Sequence, residues 1–188
     1  VYKRQGNNSA DVRVHLHLAD ANNSNYPITF NTNTITLPSL ADASWNGSGT
    51  EFIFFCFAEK QGYSKFGTYT GNGNADGTFV YTGFRPAWVI IKKSSGTNEW
   101  GIWDNKRSTF NVTDDIIYAN LTNAEAADNA NGLDFVSNGF KIRASGDLFN
   151  GSSGSYIYMA FAEHPFVTEG TKAAGLSLIH ISEPTRQS

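Results

Sequence analysis

Two histidines spaced two residues apart are candidate ligands for a metal ion. His15 and His17 lie in the run VHLHL. On a β-strand this spacing would point both imidazole rings to one face, where they could form half of a metal site. In the second copy of an internal repeat, described below, Tyr118 and Asn120 occupy the corresponding positions. We therefore expect a solvated strand face here rather than a metal site.

The loop 72–77 (NGNADG) has the cadence of a calcium-binding loop. Its first position is Asn rather than Asp, and Gly83 stands where a bidentate Glu should be. The one remaining carboxylate, that of Asp76, is too little for a hard cation. Because Asp-Gly readily adopts the positive φ angles of a tight turn, we predict instead that residues 65–70 and 78–82 form a hairpin around this loop.

Three acidic residues, Glu59, Asp104 and Glu163, end predicted strands. Hydrolysis of a glycoside needs two carboxyl groups about 5–10 Å apart, and nothing in the sequence brings two of these together. No nucleophile-elbow, zinc-protease, dinucleotide-binding or P-loop spacing occurs either. We therefore predict a protein that is not an enzyme and that needs no cofactor. A polysaccharide depolymerase using Asp104 and Glu163 is the alternative.

Tryptophan side chains are the remaining candidates for ligand binding, because an aromatic ring can stack on the face of a sugar. Trp45, Trp100 and Trp103 follow or lie within predicted strands, and we name them as candidate ligand-binding residues. The competing interpretation is that these rings fill the core. The single cysteine, Cys56, lies in an aromatic run and is interpreted as a small buried apolar residue.

The composition predicts an all-β protein. Aromatic residues make up 14% of the 188-residue chain and charged residues only 16%, a balance typical of strands and turns. One cysteine excludes an internal disulfide framework and a cysteine-based zinc cage. No apolar run approaches the roughly 18–20 residues of a membrane span. We expect no membrane partner.

The two ends of the chain are predicted to be translated sequencing adapter rather than native protein. VYKRQ at residues 1–5 and LSLIHISEPTR within residues 176–188 are what the two strands of a transposase adapter encode, so we set both ends aside as scars. Without their charged residues the chain keeps 11 basic and 16 acidic residues, a net charge near −5. That charge predicts no nucleic-acid partner.

An internal repeat divides the remaining chain. FIFFCFAE at 52–59 returns as YIYMAFAE at 156–163, a spacing of 104 residues. This spacing is too long for a solenoid unit. We predict that residues 6–60 are the C-terminal half of a first copy, that residues 61–167 are a complete second copy, and that 168–175 form a linker.

The complete copy reads as seven or eight short strands at the spacing of a β-sandwich. The predicted strands include 87–93, 100–104, 116–121, 140–143 and 156–163. The segment 122–130 (TNAEAADNA) is predicted to be helical. The run IFFCFA is apolar on both faces, which predicts a central strand that is buried on both sides and contributes most to the fold.

Three motifs of the complete copy carry a resemblance to a known group of proteins. They are F-A-E-x-x-G-Y-S-K-F-G at 57–67, Y-T-G-F-x-P-A-W at 81–88 and W-D-N-K-R at 103–107. Together they resemble a domain repeated in tandem in tail-fibre-like and virion structural proteins of marine tailed phages. The resemblance implies a jelly-roll or concanavalin-like lectin sandwich and carries over no catalytic residue.

The function expected from these observations is that of a non-catalytic structural and adhesive module of a phage tail fibre or virion protein. Its expected partners are neighbouring repeats of the same chain and a host-surface glycan, and the resemblance to fibre proteins allows a homotrimer. The location that the resemblance implies is the virion. A purely structural repeat, with no partner beyond its neighbours, is a further alternative.

Overall fold

A computed structural model describes residues 15–21, 29–31, 34–37, 47–49, 51–53, 55–127 and 129–164. Within them the chain forms eleven strands and one short 3-10 helix, Asn129–Asn131. The strands are β1 (Thr29–Phe30), β2 (Ile35–Thr36), β3 (Ser64–Thr70), β4 (Phe79–Tyr81), β5 (Trp88–Lys93), β6 (Trp100–Asp104), β7 (Asp115–Tyr118), β8 (Ala126–Ala127), β9 (Leu133–Val136), β10 (Gly139–Ile142) and β11 (Ser155–Phe161).

Two antiparallel sheets form the body of the molecule. The large sheet has the order β3-β11-β5-β6-β7-β8 and the small sheet the order β4-β10-β9, while β1 and β2 form a separate pair. Every strand pair is antiparallel. The prediction of an all-β antiparallel sandwich is confirmed, whereas its jelly-roll or lectin-like type stays a prediction.

Alternation along the strands builds the core between the sheets. Every second residue of the large sheet's central strands faces inward, including Val89 and Ile91 of β5 and Tyr156 and Tyr158 of β11, all buried. They pack against buried residues of the small sheet, with the rings of Tyr158 and Phe140 5.3 Å apart. Full burial of each such side chain stabilises the fold by roughly 1.5–3 kcal/mol.

The predicted hairpin around residues 72–77 is wrong. β3 pairs with β11 in the large sheet and β4 pairs with β10 in the small one, so the intervening loop crosses from one sheet to the other. A glycine is required where the loop passes the chain before β11, because a Cβ at Gly71 would collide with the carbonyl oxygen of Gly151. Local turn preference could not reveal this crossing.

Asn150, which is fully buried, holds the crossing loop in place. Its amide nitrogen donates to Asn72 Oδ1 at 2.8 Å, to the Asn74 carbonyl at 2.9 Å and to the Ala144 carbonyl at 2.7 Å. Its side-chain oxygen accepts the Asn72 backbone N–H at 3.1 Å. This single side chain therefore joins the loop to the turn that leads into β11.

Two further predictions are wrong. Residues 122–130 form no α-helix in their described part, because Ala126–Ala127 pair with β7 as the edge strand β8. His15 and His17 do not lie on a strand; the chain turns at 16–18, and the Leu18 N–H donates to the His15 carbonyl at 3.3 Å.

The segment 51–59, which we call the exposed segment, contradicts the prediction of a buried central strand. In its described residues 51–53 and 55–59 it forms no strand, Ile53 and Phe55 are each 83% exposed, and Cys56 is exposed rather than buried. A strand gains its hydrogen bonds and its burial from neighbouring strands. None of the described residues flanks this segment as a strand.

Three local structures recur about 104 residues apart. β1 and β2 pair Phe30 with Ile35, and β9 and β10 pair Phe135 with Phe140, the same register 105 residues later. Positive φ angles occur at Gly49 (77°) and at Ser153 (62°), 104 residues later. The turn at 15–18 matches a turn at 118–121, where the Leu121 N–H donates to the Tyr118 carbonyl. The proposed domain boundaries themselves stay a prediction.

Candidate functional site

Trp103 lies in the core and is 1% exposed. As an inward-facing residue of β6 it meets Phe149 edge-on, with the ring centroids 4.7 Å apart and the planes at 79°. Neither face of the indole can be reached by a ligand from solvent in this position. The placement corresponds to the alternative interpretation of the sequence, in which this ring fills the core.

Trp100 lies on the outer face of the large sheet and is also buried. The segment 15–21 approaches it there, because the indole Nε1–H donates to the His15 carbonyl at 2.8 Å. At 4% exposure the ring has no face open to a sugar from solvent. Trp45, the third candidate, lies outside the described residues.

The aromatic residue that sequence reasoning missed is Trp88. It begins β5 on the outer face, is only partly buried, and lies directly across from Phe161 of β11, with the ring centroids 5.7 Å apart. Phe66 of β3 and Tyr63 pack on Phe161 at 5.7 and 6.1 Å. The sequence signal was present, since alternation along 88–93 places Trp88 on the face opposite the buried Val89 and Ile91.

These side chains form a continuous aromatic surface. Phe57, 63% exposed, completes it, with its ring 6.4 Å from Phe66 and 6.1 Å from Phe161. We call this surface the aromatic patch; its members are Phe57, Tyr63, Phe66, Trp88 and Phe161. Phe66, Trp88 and Phe161 take outward positions of β3, β5 and β11, so the large sheet sets their spacing. Tyr63 comes from the turn before β3 and Phe57 from the exposed segment.

Hydrogen-bonding groups border the patch beside Trp88. Lys106 Nζ lies 2.5 Å from Glu163 Oε1, and Asn105 Nδ2 donates to Glu163 Oε2 at 3.3 Å. The Asn105 N–H donates to the Ala87 carbonyl at 3.0 Å, which fixes this turn next to the start of β5. The bonds from Lys106 and Asn105 hold the pKa of the exposed Glu163 carboxyl below its ordinary value.

A second charged pair borders the patch at Phe66. Lys65 Nζ lies 2.8 Å from Glu59 Oε2, and the Phe66 backbone N–H donates to Glu59 Oε1 at 3.2 Å. Each border therefore pairs one basic side chain with one acidic side chain. Such a surface suits a ligand that is uncharged and rich in hydroxyl groups.

Asp104, the other carboxylate of the enzymatic alternative, is fully engaged by the turn that follows it. Its Oδ1 accepts the N–H groups of Lys106 and Arg107 at 2.9 Å each, and its Oδ2 accepts Arg107 Nε at 2.6 Å. Burial alone would raise the pKa of Asp104, but these hydrogen bonds outweigh it and lower the pKa. A catalytic general acid needs the opposite shift.

The other two candidate sites offer little for a cation. The His15 and His17 rings lie 5.5 Å apart, and His15 Nδ1 lies 3.0 Å from Asp20 Oδ2. In the crossing loop Asp76 pairs with Lys141, which lowers its pKa. Among the described residues, no group of three or more His, Cys, Asp or Glu side chains is arranged to hold a metal ion.

The part of the chain that the structure describes has no helix long and apolar enough to cross a membrane. No curated protein and no solved structure matches the chain. One family profile matches residues 1–165, including the predicted scar at 1–5 but not the one at 176–188. The origin of both ends stays a prediction. Because this match spans most of its length, the chain belongs to the family described as Domain of unknown function (DUF7483).

Proposed function

We propose that this protein is a non-catalytic β-sandwich module of a phage tail fibre or related virion protein, and that it binds a host-surface glycan at the aromatic patch. The observation that carries the proposal is the juxtaposition of the partly buried Trp88 with the hydrogen-bonding groups of Asn105, Lys106 and Glu163. The virion assignment rests on the sequence resemblance.

The chemistry of the patch supports a carbohydrate as ligand. The C–H face of a pyranose packs on an aromatic ring, while neighbouring amide, ammonium and carboxylate groups hydrogen-bond to its hydroxyls. Trp88 supplies the ring, and the Asn105–Glu163 and Lys106–Glu163 bonds hold these polar groups in place. A sheet face changes shape little on binding, so little conformational entropy is lost.

The junction between the predicted copies supports a structural role in a tandem array. The Ser64 hydroxyl donates to the Ala58 carbonyl at 2.9 Å, the Lys60 N–H donates to the Ser64 carbonyl at 3.1 Å, and Phe57 packs on the patch. These contacts hold the end of the first copy against the start of the second. Successive modules joined in this way form a stiff array rather than beads on a flexible tether.

The depolymerase alternative gains no support from Asp104 and Glu163. Both carboxyl groups have lowered pKa values because they accept hydrogen bonds from neighbouring side chains. Retaining and inverting glycosidases both need one carboxylic acid that stays protonated near neutral pH. The two residues suit fixed hydrogen-bond acceptors better than proton donors.

A glycan array tests the proposal. We expect the protein to be retained on at least one host-derived polysaccharide, and Trp88→Ala to weaken that binding at least tenfold. Asn105→Ala should weaken it about threefold without removing an apolar side chain from the sheet. Tyr81→Ala removes an exposed ring from β4 of the other sheet and serves as the matched control, with binding unchanged within twofold. Retention on no glycan, or equal loss in all three variants, would reject the proposal.

A further inference from the structure

The exposed segment presents several apolar side chains to water. Ile53 and Phe55 are 83% exposed, Phe57 is 63% exposed and Cys56 is exposed as well. A contiguous apolar segment in water normally marks an interaction surface. No strand within the described residues pairs with its backbone N–H and C=O groups, and unpaired backbone groups of this kind are open to pairing with another strand.

β11 shows what the same sequence does when partners are present. Residues 156–163 repeat 52–59 with a spacing of 104, and β11 pairs along its length with β3 on one side and β5 on the other. Ile157, the counterpart of Ile53, is 3% exposed, and Ala160, the counterpart of Cys56, is fully buried. The sequence of the exposed segment is thus that of a central strand.

Within the described sandwich, neither β3 nor β5 pairs with the exposed segment as each does with β11. β5 is already flanked by β11 and β6. β3 has an edge with no strand among the described residues, but the segment places a carboxylate on that edge instead of a ladder, because Glu59 accepts the Phe66 N–H. The partner strands must therefore come from outside the described sandwich.

We propose that the exposed segment inserts as a central strand between a β3-type and a β5-type strand that a second copy of the β3–β6 segment supplies. The partner is a unit with the sequence of β3 to β6 and no β11 of its own. By analogy with β11, Cys56 would lie between the partner's counterparts of Lys65 and Val89, and Ile53 between those of Thr68 and Lys92. The inference rests on the repeat that underlies the proposed function and not on glycan binding.

The test supplies the partner strands and follows Cys56, the only cysteine in the chain. A second copy of residues 61–109 is placed directly before residue 6, the position that the 104-residue spacing assigns to it. We expect the rate of Cys56 modification by a thiol reagent to fall at least 100-fold relative to the unextended chain. Amide hydrogen exchange at 53–58 should slow by a similar factor.

Two controls calibrate the result. The double variant Cys56→Ala/Ala160→Cys puts the thiol into the occupied slot of β11, where it should react at least 100-fold more slowly than Cys56 does. An extension whose copies of Val89 and Ile91 are replaced by proline cannot form the ladder, so Cys56 should stay as reactive as in the unextended chain.

Three outcomes would overturn the proposal. One is undiminished Cys56 reactivity in the extended chain while the β11 amides stay protected. Another is equal protection by the proline-bearing extension, which would mean that burial is unspecific. The third is protection of Cys56 with loss of protection in β11, which would mean that the segment displaces β11 of a closed copy. Glycan retention is measured separately, so its loss leaves this test unaffected.

Discussion

β11 and the exposed segment are two regions of one molecule with nearly the same sequence and opposite structures. YIYMAFAE forms the second strand of the large sheet, with its inward residues in the core. FIFFCFAE forms no strand in its described residues and exposes Ile53, Phe55 and Phe57. Since composition and alternation are shared, neither decides whether a strand forms.

The difference lies in the neighbours. A strand has no hydrogen bonds within itself, and β propensity measures how well side chains fit a pleated, half-buried surface. β11 has β3 and β5 to complete both requirements. The exposed segment has the turn at Lys60–Ser64, the ring contacts of Phe57 and the hydrogen bonds of Ala58 and Glu59. These contacts anchor its C-terminal end without burying its length.

The largest expected effect comes from the same substitution made in both regions. Ile157→Ala should lower the free energy of unfolding by about 3 kcal/mol, because removing this buried side chain leaves a cavity in its place. Ile53→Ala should change it by less than about 0.5 kcal/mol because Ile53 is mostly in water. Urea unfolding monitored by tryptophan fluorescence gives both values, and similar losses would break the comparison.

A second substitution tests whether Asn150, in the turn before β11, anchors the crossing loop. Asn150→Ala should cost about 2 kcal/mol of stability, because the hydrogen bonds of the fully buried Asn150 amide to Asn72 and Asn74 of the crossing loop are lost and the buried Ala144 carbonyl loses its donor. Asn74→Ala is the control, since its exposed side chain accepts one local N–H, and it should cost no more than about 0.5 kcal/mol. If both variants unfold at the same urea concentration, Asn150 does not anchor the loop.

A pH titration probes the strand beside β11, where Lys92 faces Ile157. Burial lowers the pKa of Lys92 from 10.5 to about 8. Between those values the unfolded chain binds more protons than the folded one, so stability should rise from pH 8 towards pH 10. Above about pH 10 the trend should reverse, because burial raises the pKa of Tyr69 and Tyr158, the latter to about 12.

Lys92→Met should remove the rise between pH 8 and 10 and add about 1 kcal/mol of stability at pH 7, because an apolar side chain replaces a buried charge. Lys60→Met, at an exposed position, should leave the slope intact. Urea unfolding midpoints measured across this pH range test the prediction. If the stability of the Lys92 variant still rises between pH 8 and 10, groups other than Lys92 cause the rise.

The smallest expected effect concerns the turns that precede the two regions. Ser153 has a φ of 62°, whereas Gly49 holds the matching position with a φ of 77°. Ser153→Gly should stabilise the fold by about 0.5 kcal/mol, because glycine adopts this conformation without steric cost. Ser152→Gly should be slightly destabilising by comparison. A lower thermal midpoint for Ser153→Gly would contradict this account of the turn.

Sequence reasoning recovered the features that depend on local pattern. The bounds of the predicted strands at 87–93 and 100–104 agree with those of β5 and β6 to within one residue. This agreement is expected because apolar alternation and turn residues are properties of consecutive residues. Sequence reasoning failed where the prediction depended on which distant segments pair with each other. The hairpin at 72–77 has ideal turn chemistry, yet Asn150 and the close approach at Gly71 place its two strands in different sheets.

The candidate site divides in the same way. Sequence reasoning identified aromatic residues as the ligand-binding chemistry, but Trp100 and Trp103 are buried. Trp88 joins the aromatic patch because β11 places Phe161 across from it, and that pairing links residues far apart in the chain.

The sequence by itself determined that this is a strand-rich protein and which residues of a strand share a face, because alternation is a property of consecutive residues. Only the tertiary structure decided which strands are paired and which of the described tryptophans is partly exposed. It also decided why Ile53 and Phe55 stay exposed while β11 is largely buried. The physical reason is that a strand becomes stable through backbone hydrogen bonds and burial supplied by non-adjacent segments.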